Sequence, residues 1–360
     1  MSWGNPQTAS EQMSQALLKP LAWPYKLALD LRQAAYNKNW IAAQRLSCPV
    51  VSVGNLTVGG SGKTPLIIDL ARRLLADKIK VGILSRGYGR LTSRCIVVSN
   101  GRGNFASLSE SGDEALLIAK TLPPVVMIVN QDRIAAGQKA IAEYGCEILL
   151  LDDGFQHWRL QRDHNIVLID YADDPLRDAL LPAGRLREPI SALNRATHIV
   201  ITKIPQDYVQ SKVDYLKNLA RTYGPGASIS TCQFVNSSLE QFISGSWHTQ
   251  NLDLLNDLPV VAFCGIAKPE GFFETLKNTG AHVLDQIAFS DHHYYSQNDL
   301  YKLSRALKEN RAKYLVTTRK DLVKLGSCSL VESILAINQE IHWLETPPDI
   351  RSILPVKTIV

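Results

Sequence analysis

The stretch "VVSVGNLTVGGSGKTPL" (residues 50–66) constrains this chain more than any other part of it. A run of β-formers gives way to Gly59, Gly60 and Gly62, and Lys63, Thr64 and Pro65 follow before an apolar-periodic segment begins. Glycines at such a bend let successive backbone N–H groups converge on one anion, and a helix that opens there aims its positive end at the same point. In a phosphate-binding loop of this kind the lysine reaches the β- and γ-phosphates, and the Ser/Thr hydroxyl ligates Mg²⁺. Thr57, Val58, Gly59, Gly60, Ser61, Gly62, Lys63 and Thr64 are therefore the expected nucleotide cradle, with Thr64 also on the metal. Pro65 falls in the first helical turn, where a missing N–H costs nothing. Thr57 stands where the pattern G-x-x-x-x-G-K-[ST] has its first glycine. The bland alternative is a glycine-rich turn with an incidental Lys-Thr, and the strand before and helix after argue against it.

From residue 48 onward, short apolar runs alternate with amphipathic segments. "PVVSVGN", "KVGILSRG", "RCIVVSN", "PVVMIVN", "EILLLDD", "NIVLID" and "HIVITK" read as strands covered on both faces. "TPLIIDLARRLLADK", "GDEALLIAKTL" and "DRIAAGQKAIAEYG" read as helices between them. This alternation predicts an α/β fold with a P-loop NTPase-type parallel sheet flanked by helices. After about residue 205 the rhythm weakens, and the Ser/Gly/Asn-rich stretch 223–253 reads as a linker with irregular strands. Strand-helix patterning returns from "PVVAFCGIAKPEGFFETLKNTG" onward, which predicts a smaller C-terminal α/β domain. A chain of 360 residues suits two domains. The expected division is an amphipathic segment over 1–40, a P-loop domain over 41–230 and the smaller domain over 231–360.

A P-loop needs a carboxylate at a neighbouring strand end to complete its Mg²⁺ site. "EILLLDDGFQH" supplies Asp152 and Asp153 after four apolar residues. Adjacent acids repel unless a cation offsets them, although two solvated acids in a turn are common. The net charge of +5 is modest, and no dense Lys/Arg patch interleaved with aromatics points to nucleic acid. Six scattered cysteines without a C-x-x-C pair signal neither zinc nor disulfides, which fits a reduced, cytoplasmic setting. The first fifteen residues lack the apolar core of a secretory signal. The stretch 16–36 is apolar, but Lys19, Lys26, Asp30 and Arg32 interrupt it and Pro20 and Pro24 are expected to break it.

The motifs "GNLTVGGSGKTP", "SRGYGR", "GDEALL", "DDGFQH", "LPAGRLREP" and "FSDHHYY" occur in the order found in tetraacyldisaccharide 4′-kinase, the lipid A 4′-kinase of Gram-negative bacteria. The chain resembles that family over about residues 15–325, including Thr57 for the first loop glycine and Pro65 after Gly-Lys-Thr. The resemblance implies transfer of the γ-phosphate of ATP, with Mg²⁺, to the 4′-hydroxyl of a tetraacylated disaccharide 1-phosphate at the cytoplasmic face of the inner membrane. It implies Asp113 as the base, oriented by the histidine of a "DH" motif. That histidine is His292, with His293 directly after it as the alternative. It places Glu114 at the metal or its waters beside Asp152 and Asp153, and Gln156, with His157, near the nucleotide. It places Tyr88, with Arg86, at the same sheet edge against the substrate. It places Arg133 against substrate or nucleotide phosphate, with a solvated helix residue as the alternative. It places Arg185 and Arg187 against the anionic headgroup of the substrate, although one of these two could pair with Glu188. Without the resemblance, Asp113 reads as a helix N-terminal acid and the histidines as a surface pair.

A lipid substrate gives 1–40 a role as a peripheral, monotopic membrane contact. Trp23 and Tyr25 suit the headgroup region, Lys19, Lys26 and Arg32 suit anionic lipids, and Leu27, Leu31 and Ala35 share a face. A helix packed on the protein's own core is the alternative. No obligate protein partner is implied. Two rival readings are a membrane-associated P-loop switch and a kinase or ligase of a small metabolite. "VTTRKD" (316–321) and "ITKIP" (201–205) approach the guanine-reading T-K-x-D pattern with the wrong spacing, so both read as strand ends with ordinary turns.

Overall fold

The computed structural model describes residues 9–243, 246–326, 328 and 330–354. A long helix, α1 (Ala9–Asn37), precedes a first alternating series. It comprises β1 (Val50–Asn55), α2 (Lys63–Ala76), β2 (Val81–Ser85), β3 (Ile96–Asn100), α3 (Leu108–Ser111) and α4 (Asp113–Thr121). It continues through β4 (Val126–Val129), α5 (Arg133–Tyr144), β5 (Ile148–Asp152), β6 (His164–Asp170), β7 (His198–Thr202) and α6 (Gln210–Tyr223). Two strands, β8 (Ser228–Ile243) and β9 (Ser246–Gln250), lead into a second series. That series is β10 (Pro259–Cys264), α7 (Pro269–Lys277), β11 (His282–Ala288), α8 (Gln297–Glu309), β12 (Tyr314–Thr318), α9 (Arg319–Leu325) and β13 (Ile334–Trp343).

The expected strands and helices of the first half are present. β1, β2, β4, β5 and β7 are buried at every position, which is why they read as continuous Val/Ile/Leu runs rather than alternating ones. They lie in the order β4-β2-β5-β1-β6-β7, all parallel. β3 differs: it runs antiparallel to β4 at the sheet edge, where its half-covered face needs no helical crossover. With β5 beside β1, the ends of both strands open on the same edge, and the glycine loop and the acid pair share it.

The larger difference concerns 223–253. Residues 228–243 form one strand instead of a linker. Its start pairs parallel with β7 (Ser228–Thr231), and its remainder pairs antiparallel with β13 (Cys232–Gln241). One sheet therefore runs through both halves, and the expected boundary at 230/231 lies inside β8. The strand tolerates its polar residues because they find partners across the ladder: Asn338 Nδ2 donates to Ser237 Oγ and Ser238 Oγ at 3.1 and 3.2 Å. A second tie between the halves is the guanidinium of Arg319, which donates to Glu240 (2.8 Å), Asn338 (3.0 Å) and Thr121 (2.7 Å).

α1 is continuous through Pro20 and Pro24, contrary to the expected break. Both prolines are exposed, so neither ring is packed into the interior. The helix leans on the body through Tyr25, whose hydroxyl donates to the Arg187 carbonyl (2.8 Å), and through Arg32, which donates to the Gln156 carbonyl. Its other face leaves Trp23, Leu27 and Leu31 in solvent, Trp23 at 81% exposure.

Candidate active site

The loop from β1 to α2 is shaped by one obligatory glycine. Gly62 caps α2 with φ of 91°, and a Cβ there would stand 2.3 Å from the Phe234 ring of β8. Only glycine satisfies both constraints. From behind, Lys203 donates to the Gly60 carbonyl and Thr202 Oγ1 to the Ser61 carbonyl (2.8 Å). Lys203 is itself fixed by Asp170 at 2.7 Å. With these carbonyls held on one side, the peptide N–H groups point to the other, and among the described residues the amides of Gly60 to Lys63 have no acceptor. That is the geometry of an anion cradle. Thr202 and Lys203 belong to "ITKIP", which sequence reasoning set aside because a supporting role leaves no spacing signal.

Lys63 lies between two oxygen acceptors, Asn55 Oδ1 at 3.1 Å and Asp153 Oδ1 at 3.5 Å. Asp153 takes a left-handed φ of 53° just past β5, a conformation that Asp tolerates. Arg187 grips it with both terminal nitrogens, at 2.7 and 2.8 Å, and also donates to Asn55. Burial alone would push the Asp153 carboxyl up, but Arg187 and Lys63 together bring it down to about 2. Its neighbour behaves oppositely. Asp152 is buried with Ser85 Oγ donating at 2.8 Å, and burial followed by the charges of Glu114 and Asp153 raises it to about 6. A buried acid beside two others is relieved by a cation. Among the described residues no three His, Cys, Asp or Glu side chains cage a metal by themselves. The acid pair beside the loop suits Mg²⁺, which takes one or two carboxylates and completes its shell with phosphate oxygens and water.

Asp113 opens α4 behind Gly112, whose φ of 80° lets the Tyr88 carbonyl approach closer than any Cβ would permit. Its Oδ2 lies 2.8 Å from Nδ1 of His292, which comes from the loop after β11. His293 turns away, pairing with Asp299 (3.0 Å) at the start of α8 and stacking on Phe289. Of the two histidines, His292 is therefore the one at Asp113. Burial works against the charge on Asp113, but His292, Lys320 and Lys324 hold it at about 2. The same hydrogen bond raises His292 above the ordinary histidine range, against burial and Lys320. Lys320 and Lys324 each stand 3.7 Å from Asp113. Both follow "VTTRKD" or lie within it, another stretch that sequence reasoning read as an ordinary turn.

The remaining expected residues divide. Tyr88 is exposed and its ring lies 5.3 Å from that of His292. Arg133 is buried instead of solvated, donating to the carbonyls of Asn130 and Gln131, and burial brings it down to about 10. Arg185 differs from an open anion site: its Nε and Nη1 already serve Asp178 and Asp173 at 2.8 Å each. Neither Arg185 nor Arg187 pairs with Glu188, which Arg195 takes. Thr57 is buried and Val58 N–H donates to the Arg185 carbonyl at 2.8 Å, so these two anchor the loop and do not point amides into it. Gln156 Nε2 donates to the Asn55 carbonyl (3.0 Å), bracing the end of β1. Thr64 and Glu114 share the wall of a cavity of about 440 Å³ that continues between the halves past Ile68, Leu117, Phe272 and Lys320. Among the described residues no helix is long and apolar enough to cross a membrane.

A family model described as tetraacyldisaccharide-1-P 4′-kinase matches residues 14–356. The tetraacyldisaccharide 4′-kinase of Pelobacter propionicus is 38% identical over 323 residues, covering 89% of this chain and 86% of that one. That of Geobacter metallireducens is 38% identical over 88% of this chain and 90% of its own. In structure, the chain is similar to the "apo" form of LpxK from Aquifex aeolicus in complex with ATP, with a TM-score of 0.73, 32% identity, and coverage of 91% and 95%.

Proposed function

This chain belongs to the tetraacyldisaccharide-1-P 4′-kinase family, and from that premise we propose which of its residues carry the reaction. It is an ATP-dependent kinase that phosphorylates the disaccharide precursor of lipid A at the 4′ position. In our reading the amides of Gly59 to Thr64 receive the triphosphate and Lys63 crosses to its β,γ end. Thr64 and Asp152, with Asp153 and Glu114 alongside, would hold Mg²⁺, which supplies neutralisation of the β- and γ-phosphate charge when bound. Arg187 and Lys63, both paired with Asp153, are the cations that would turn to the γ-phosphoryl. Arg133 supports this edge from within. Arg185, occupied by two carboxylates, orders the "LPAGRLREP" loop that carries Arg187.

The observation that carries the mechanism is the Asp113–His292 pair. A carboxylate held well below the ordinary range by an imidazole and two ammonium groups is a poor acceptor of a hydroxyl proton. The imidazole it raises is a good one. The proton of the sugar hydroxyl therefore goes to His292 Nε2, while Asp113 fixes the tautomer with Nδ1–H donated to it and stabilises the imidazolium. This reverses the roles expected from the sequence. Tyr88 stands beside the imidazole, where it would touch the acceptor sugar.

The stripe of Trp23, Leu27 and Leu31 supports a peripheral attachment through α1, with exposed Lys19, and Lys26 beside its partner Asp30, toward anionic lipid. A membrane-seated acceptor and a cytoplasmic nucleotide support the cytoplasmic face of the inner membrane. In this reading three segments divide the work: the α1 region, the P-loop half and a C-terminal half that supplies the histidine. Transfer of ³²P from ATP to a tetraacyldisaccharide 1-phosphate in detergent micelles tests the reading. Asp113→Ala should lose transfer by about a hundredfold or more while keeping its affinity for nucleotide. Near-normal transfer by that variant would remove the pair from the mechanism.

A further inference from the structure

Two lysines of α9 flank Asp113, and they are held very differently. Lys324 is enclosed at 2% side-chain exposure, with Asp321 Oδ1 at 3.1 Å. Asp321 is fully buried and its other oxygen accepts from Thr318 Oγ1 (2.7 Å) and Gly265 N–H (3.1 Å). That pair is locked. Lys320 is more open, at 20% exposure, and its carboxylate contacts are long: 3.5 Å to Glu114, 3.7 Å to Asp113 and 3.9 Å to Asp291. None reaches the 2.7–2.9 Å usual for a charge-assisted bond. Its shortest polar contact is with Nε2 of His292, at 3.3 Å.

That contact has a chemical consequence. With Nδ1–H given to Asp113, the lone pair of His292 sits on Nε2, and an ammonium N–H directed there occupies the site that must receive the sugar proton. Lys320 has to leave before the imidazole can act. It also lines the cavity that contains Thr64 and Glu114, so it already faces the space where phosphate would lie. Three loosely placed carboxylates keep its charge local without fixing it, and its four-carbon stem gives it reach.

We propose that Lys320 is a catalytic residue, whose ammonium moves from His292 Nε2 to the non-bridging oxygens of the phosphoryl group in transfer. This rests on the assignment of His292 as proton acceptor. As the hydroxyl oxygen of the sugar forms its bond to the γ-phosphorus, the bond from that phosphorus to the β,γ-bridging oxygen breaks. The hydroxyl proton passes to Nε2, and ADP departs with the bridging electron pair. Lys320 neutralises charge on the three equatorial oxygens throughout, and its departure from Nε2 links phosphate arrival to activation of the base.

Steady-state transfer by Lys320→Met, Lys320→Arg and His292→Ala, each with measured ATP affinity and melting temperature, tests the proposal. K320M should lose about a hundredfold or more in kcat, on the scale of removing one preorganised donor to a transition-state charge. Its KM for ATP and its melting temperature should stay near the wild type, and K320R should recover part of the lost kcat. A K320M enzyme with wild-type kcat overturns the proposal, as does one whose loss is accounted for by lower melting temperature or lost ATP affinity. Inactive H292A beside an active K320M sinks Lys320 alone. An active H292A removes the proton-acceptor reading on which the proposal rests.

Discussion

At the scale of single residues, this site is a set of charges held in wait by one another. Lys63 and Arg187 sit on Asp153, Lys320 sits on His292 Nε2, and Asp152 carries the surplus of negative charge. Each pairing is one that phosphate and a divalent cation would replace with a better one. The backbone is less adaptable. Gly62 combines a left-handed φ with contact against Phe234, so Gly62→Ala brings both dihedral strain of about 1–2 kcal/mol and a steric clash at the α2 N-terminus. It should weaken Mg–ATP binding by about tenfold or more, measurable by calorimetric titration. The double variant with Phe234→Ala should recover only the steric part. Unchanged affinity in G62A would show that the cradle is not where the triphosphate binds.

Among the elements, those whose role is written in local chemistry were legible in the sequence. β1, the glycine loop and α2 could be read because fully buried strands and phosphate loops have compositional signatures, and Asp152 and Asp153 because they end such a strand. β8 could not, since a half-covered strand of Ser, Asn and Gln looks like a linker until its ladder partners are known. Thr202, Lys203 and Lys320 were likewise invisible, because what they do depends on carbonyls and nitrogens brought to them from far along the chain. α1 was legible as an amphipathic, surface-seeking segment but not as a helix continuous through Pro20 and Pro24. With its apolar stripe in solvent, replacing Trp23, Leu27 and Leu31 by Ser should reduce co-sedimentation with anionic vesicles by about tenfold or more. Equal co-sedimentation would assign the stripe to some other partner.

For the whole molecule, the question is why one sheet spans two α/β halves. β8 joins them by pairing with β7 on one side and β13 on the other, and Arg319 ties Thr121 of the first half to Glu240 and Asn338. The result is that Asp113, at the start of α4, meets His292, from the loop after β11, although 179 positions separate them. On the proposed reading the first half brings nucleotide and carboxylate, the second brings imidazole and ammonium, and the reaction takes place where they touch. Because Asp113 raises His292, the unprotonated imidazole is lost as pH falls through a value above the ordinary histidine range, and kcat should fall with it. The most direct test is the pH–rate profile of Asp113→Asn against the wild type under saturating Mg–ATP and lipid acceptor. The acid limb should move to lower pH and the plateau should drop, because the largest influence raising the imidazole is gone while Lys320 and Lys324 remain. A limb that stays in place in D113N would contradict a proton acceptor built from both halves.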